Sequence, residues 1–135
     1  MLIKNIITYD DFINNLKKYN LVIVNISASW CRPCIALKPN IEKFLSVIDK
    51  ENIIYLKLDH SIYEFDVRFE TLFNVGKIPY FAFIKDGKLI DSFVSGDFDF
   101  VSKRLFENIS KEKNIDNNIN NDIDNNNDVI INKIE

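Results

Sequence analysis

The stretch SASWCRPCIALKP, Ser27–Pro39, holds both cysteines of the chain, Cys31 and Cys34, and its single tryptophan, Trp30. Before it lies an apolar run, LVIVNIS (Leu21–Ser27). That run is short, β-branched and almost uninterrupted, as expected of a strand buried on both faces. After it, Ala36, Leu37, Ile41, Phe44, Leu45 and Ile48 recur at helical spacing. The helix is expected to begin near Pro33, because a proline in the first turn loses no intrahelical hydrogen bond. Pro39 falls inside the same pattern and is expected to kink it. A second buried strand, NIIYLKLD (Asn52–Asp59), comes next. Strand, helix, strand makes a βαβ unit, which calls for parallel strands and a right-handed crossover.

The rest of the chain extends this unit. In NIITYDDFINNLKKYN, residues Phe12, Ile13 and Leu16 share one helical stripe, with Thr8 and Asp11 as a capping signal. SIYEFDVRFETLFNV reads as a second amphipathic helix. YFAFIKDGKLIDSFV reads as a hairpin turning at Asp86-Gly87. DFDFVSKRLFENI closes the domain as a helix with Phe98, Val101, Leu105 and Ile109 inward. The expected fold is α/β: a mixed sheet with a parallel centre, an antiparallel hairpin at one side, and helices on both faces.

The chain has 135 residues, 47% of them apolar, which suits one globular domain with a core. From Lys111 on there are three lysines and six acids, which account for the whole net charge of −3. The first 110 residues are therefore neutral, and no basic face for nucleic acid is expected. The domain is placed at residues 1–110. Residues 111–135, rich in Asn, Asp and Ile, read as a low-complexity, disordered tail. A short helix that folds on a partner or back on the domain is the other reading of the tail, from Ile115, Ile119 and Ile123 at intervals of four. No run is long and apolar enough to cross a bilayer, and the first residues carry no secretory pattern. A cytoplasmic, reducing setting is the expectation, where paired cysteines are reactive or metal-bound.

Cys31 and Cys34 can be half of a zinc site, a reversible disulfide, or a buried structural pair. A structural zinc site needs four ligands. The chain offers two cysteines and one histidine, His60, so zinc within one chain is not expected. For redox chemistry the placement is favourable. A helix N-terminus presents unpaired N–H groups and partial positive charge, and both favour a thiolate over a thiol. Cys31 at the helix end is expected to attack. Cys34, one turn in and less exposed, is expected to resolve the mixed disulfide.

From Leu2 to Ser110 the chain resembles the thioredoxin family. SWCRPC is similar to the family's active-site motif, Pro39 to its helix-kinking proline, VGKIPYF to the segment carrying its cis-proline, and IKDGKLI to its hairpin. The resemblance implies a cis Ile78–Pro79 bond beside the cysteines. It also implies substrate-binding roles for Ile78 and Pro79 by strand addition, with Trp30 as an apolar rim. No bound cofactor and no metal are implied. The implied partners are disulfide-containing client proteins and an upstream thiol reductase or glutathione. Neither nucleic acid nor membrane is implied, and the protein is expected to be a monomer.

The sequence departs from the family at informative places. Asn25 stands where a buried aspartate is common; an aspartate accepts the resolving cysteine's proton, whereas an asparagine amide cannot. Arg32 stands where glycine is usual, and its charge beside Cys31 is expected to make the pair more oxidising. Arg32, Pro33 and Asn25 are thus the positions expected to tune the pair. Ser27, Ile35 and Tyr80 replace an aromatic residue, a lysine and a threonine, which points to a different client set. The function expected is a thiol–disulfide oxidoreductase acting on protein disulfides. The alternative is a thioredoxin-like interaction module with little turnover.

Overall fold

The computed structural model describes residues 1–113. Its elements in chain order are β1 (Leu2–Ile6), α1 (Tyr9–Lys18), β2 (Leu21–Ser27), α2 (Arg32–Ser46), β3 (Ile53–Asp59) and α3 (His60–Phe65). A 3-10 turn at Val67–Thr71, then β4 (Tyr80–Lys85), β5 (Lys88–Val94) and α4 (Phe98–Ser110) complete the set. The sheet order is β1-β3-β2-β4-β5.

The centre forms as the apolar runs require. β2 pairs parallel with β3, with Leu21 opposite Ile53 and Asn25 opposite Lys57. β4 lies antiparallel on the other side of β2, and β5 follows it through the Asp86-Gly87 turn. Both turn residues have positive φ, 50° and 78°, the left-handed conformation that Gly adopts without steric cost.

Side chains alternate across this sheet into two cores. On one face Phe12 and Leu16 of α1 and Tyr63 of α3 cover Val22, Val24, Ile54 and Leu56. On the other, Leu37, Ile41 and Leu45 of α2 and Val101, Leu105 and Ile109 of α4 cover Ile23, Tyr55, Phe81 and Phe83. Thr8 caps α1, its side chain accepting from the Asp11 N–H at 3.1 Å. α2 carries a proline in its first turn and runs through Pro39.

One element has no counterpart in the sequence reading, and two expectations are corrected. The chain opens with a strand, β1, that pairs parallel with β3. It has five residues and only Ile6 fully buried, so its edge position leaves no strong alternation to read. The SIYEFDVRFETLFNV segment is not one helix. Asp66 sits in an extended conformation between α3 and the 3-10 turn, its carboxylate accepting from the Arg68 N–H at 3.1 Å. Aspartate competes with helical bonding in this way and breaks helices where it can cap the next turn. Ala36, counted on the inward stripe of α2, is exposed.

At the far end of the sheet, packing continues past Ser110. Glu112 is buried and pairs with Lys85 at 3.0 Å. Lys50 donates to the Ile109 carbonyl at 3.1 Å and Asn52 to the Lys113 carbonyl at 2.7 Å. The remainder of the expected tail lies outside the described residues.

Candidate active site

β2 delivers the chain to the rim of the sheet, where Ala28–Trp30 turn it into α2. Cys31 is the N-cap of that helix, with extended backbone angles and its N–H bonded to the Ala28 carbonyl at 3.2 Å. An N-cap side chain is placed to accept from the first turn. Here the acceptor is sulfur: Cys31 Sγ receives the Cys34 N–H at 3.4 Å. The two sulfurs are joined in a disulfide, across a Cα–Cα distance of 5.3 Å.

The expected difference in exposure is corrected, because Cys31 and Cys34 are 6% and 7% exposed. Both cysteines share one buried cluster with Ala28, and Ile78 packs against it. The asymmetry lies in hydrogen bonding and in position along the helix. Only Cys31 stands at the positive end of the α2 dipole.

The Ile78–Pro79 bond is cis. Ile78 packs on the cysteine pair, and Pro79 is buried beside Cys34. Trp30 is 71% exposed and stands edge-on to His60, ring centroids 6.2 Å apart. His60 stacks on Tyr63 and places Nδ1 2.9 Å from Glu64. Arg32 is exposed as the first residue of α2, next to Cys31.

Asn25 is half-buried and donates through Nδ2 to the Tyr80 carbonyl at 3.3 Å. It borders a cavity of about 440 Å³ between α2 and the sheet, onto which Cys34 and Pro79 also open. The cavity is lined further by Lys38 and Glu42 of α2 and by Tyr55, Lys57 and Asp59 of β3. Lys57 Nζ and Glu42 Oε2 are 3.0 Å apart. Burial raises the Tyr55 phenol well above its ordinary value, and the Glu42 charge adds to the rise.

Sequence reasoning missed Glu42, Lys57 and Gly96. The signal for Lys57 was the alternation itself, since it follows Ile53 and Tyr55 at every second position of β3. Gly96 carried no local signal. It packs from the β5–α4 loop onto the active-site helix, where an added Cβ would stand 2.9 Å from Pro33 Cβ.

Comparison with known proteins gives one family. A family model described as Thioredoxin matches residues 4–111. Thioredoxin-2 of Pyricularia oryzae is 34% identical over 97 residues, which cover 72% of this chain and 54% of that protein. The chain thus spans about half the length of that relative. Thioredoxin of Coprinus comatus is 30% identical over 92 residues, covering 63% of this chain and 84% of that protein. Among solved structures, the Malassezia sympodialis thioredoxin superposes with a TM-score of 0.67 at 22% identity. That alignment covers 79% of this chain and 93% of the other, and it shows the shared fold.

Proposed function

The chain belongs to the thioredoxin family, and from that premise we propose that it is a thiol–disulfide oxidoreductase acting on protein disulfides. The observation that carries the proposal is the bond from the Cys34 N–H to Cys31 Sγ at the N-terminus of α2. A donor and a positive helix end aimed at one sulfur stabilise the thiolate there. In the reduced protein Cys31 is the nucleophile. It attacks a client disulfide, and Cys34 then attacks the mixed disulfide and releases the reduced client. Ile78, Pro79 and Trp30 form the surface on which an extended client segment docks. Arg32 and Pro33 tune the pair from its first helical turn, and Asn25 does so from beneath. An upstream thiol reductase or glutathione returns the pair to the dithiol. No cofactor is required, since electrons move by thiol exchange.

Among the described residues no helix is long and apolar enough to cross a membrane. We place the protein in the cytoplasm, a reducing compartment in which the Cys31–Cys34 pair can cycle through its dithiol, and as a monomer.

Insulin reduction with a dithiol as electron source tests the activity. Turnover that disappears in Cys31→Ser supports it. Equal and negligible rates in both proteins would instead favour an interaction module.

A further inference from the structure

The α2-covered face of the sheet changes character along its length. In β2 the side chains on this face run Leu21, Ile23, Asn25, Ser27, and in β3 they run Ile53, Tyr55, Lys57, Asp59. The apolar pairs lie under the second half of α2, and the polar pairs lie under its first half. The cavity behind the cysteines is the result, and its volume of about 440 Å³ holds several waters. Cys34, Lys38 and Glu42 border it at intervals of four, so they form one line along α2. From first to last that line is about 12 Å long.

Cys34 must give up a proton to attack Cys31. The side chains around the cavity differ in whether they can take it. Asn25 has no proton-accepting state at neutral pH, and its amide is engaged by Tyr80. Lys38 and Lys57 carry ammonium groups, which donate and do not accept, and burial keeps the Tyr55 phenol in its protonated form. Asp59 is occupied by capping α3, accepting from the Ser61 N–H at 2.9 Å and its Oγ at 2.6 Å. Glu42 is half-buried and, among the described residues, takes one hydrogen bond, from Lys57.

We propose that Glu42 accepts, through solvent in this cavity, the proton that Cys34 loses as it resolves the mixed disulfide. The proposal rests on the roles given to Cys31 and Cys34 above. The Cys34 thiol proton passes to the Glu42 carboxylate, and a Cys34–Cys31 bond forms. The bond between Cys31 and the client sulfur breaks, and its electron pair leaves with the client thiolate, which takes a proton from solvent. Two electrons move from the chain's thiols to the client. Lys57 is a positioning residue that holds Glu42 toward the cavity.

The test is the rate of each attack, measured by rapid mixing with a disulfide-bonded peptide. The variants are wild type, Glu42→Gln, Asn25→Asp and Asn25→Asp/Glu42→Gln. Glu42→Gln is expected to slow resolution about tenfold or more. It leaves the first attack, measured in a Cys34→Ser background, unchanged. It also changes the pH profile of the second step. In the double variant the second step returns to near the wild-type rate, because Asn25→Asp sets a carboxylate beside the cavity. Equal second-step rates and pH profiles in wild type and Glu42→Gln would overturn the proposal. So would a double variant as slow as the single one, which would give Glu42 a structural role. If the first attack is absent in every protein, the oxidoreductase reading fails instead, and the proposal falls with it.

Discussion

Gly96 rests against Pro33: a methyl group on Gly96 would lie 2.9 Å from Pro33 Cβ, closer than folded chains allow. The contact ties the β5–α4 loop to the first turn of the helix that carries both cysteines. Gly96→Ala is expected to push Pro33 or the loop aside, at a cost of about 1–3 kcal/mol. It is also expected to change the alkylation rate of Cys31. Gly76→Ala is the control, since nothing lies within 4 Å of the added carbon there. Urea melts of both variants check this, and equal stabilities would show that the loop yields freely.

The charge of Arg32, adjacent to Cys31 in the chain, is expected to favour the thiolate and so the reduced pair. Arg32→Gly is expected to make the reduction potential more negative. An exposed charge is screened, so the shift is about 5–20 mV. Equilibration with a glutathione redox buffer measures it. A shift toward more positive potential contradicts the argument.

Asp91 anchors β5 to α4. It accepts from Arg104 Nε at 2.9 Å and from Asn108 Nδ2 at 3.0 Å, and a second Arg104 nitrogen bonds its other oxygen. The same guanidinium lies over the rings of Phe93 and Phe100 at 4.8 and 5.3 Å. Burial alone would raise the Asp91 carboxyl, but these hydrogen bonds hold it below the ordinary carboxylate value. A carboxylate lowered on folding stabilises the fold above its unfolded pKa and loses that contribution as pH falls through the folded one. Asp91→Asn is therefore expected to destabilise by about 1–2 kcal/mol at pH 7. The gap to wild type closes as the pH falls below about 4. Urea midpoints at neutral and acid pH measure the gap. A gap that stays constant would show that packing, not charge, carries the contact.

Much of this was legible in the sequence because the decisive signals are local. Leu21–Val24 and Ile53–Leu56 are unbroken apolar runs, short and rich in β-branched residues, which suits central strands. Asp86-Gly87 accepts left-handed angles that few other pairs do. Cys31 was placed at a helix end by the strand before it and the helical spacing after it; that it is the N-cap is a finding of the structure. What escaped reading depends on partners distant in the chain. β1 is a strand because β3 offers it an edge, not because its own residues alternate. Asp66 breaks a helical pattern through one side-chain bond. The near-equal burial of Cys31 and Cys34 involves Ile78, far along the chain, which packs against the pair. Glu42 and Lys57 look like ordinary surface charges until the polar half of the sheet brings them together under α2.

The bond from the Cys34 N–H to Cys31 Sγ makes a distinct claim about the reduced protein. Cys31 is expected to be the more reactive thiol at neutral pH, since it stands at the helix end and its sulfur receives the Cys34 N–H. Alkylation by iodoacetamide across a pH series, read by peptide mass spectrometry, follows each thiol separately. Faster reaction of Cys34 at neutral pH would reverse the assignment.

The division of labour between the cysteines is tested most directly by trapping. Cys34→Ser and Cys31→Ser are each reduced and mixed with a disulfide-bonded peptide, and the adducts are mapped by mass. The account predicts a lasting mixed disulfide on Cys31 in Cys34→Ser and little or none on Cys34 in Cys31→Ser. Adducts forming equally fast on either cysteine would contradict it.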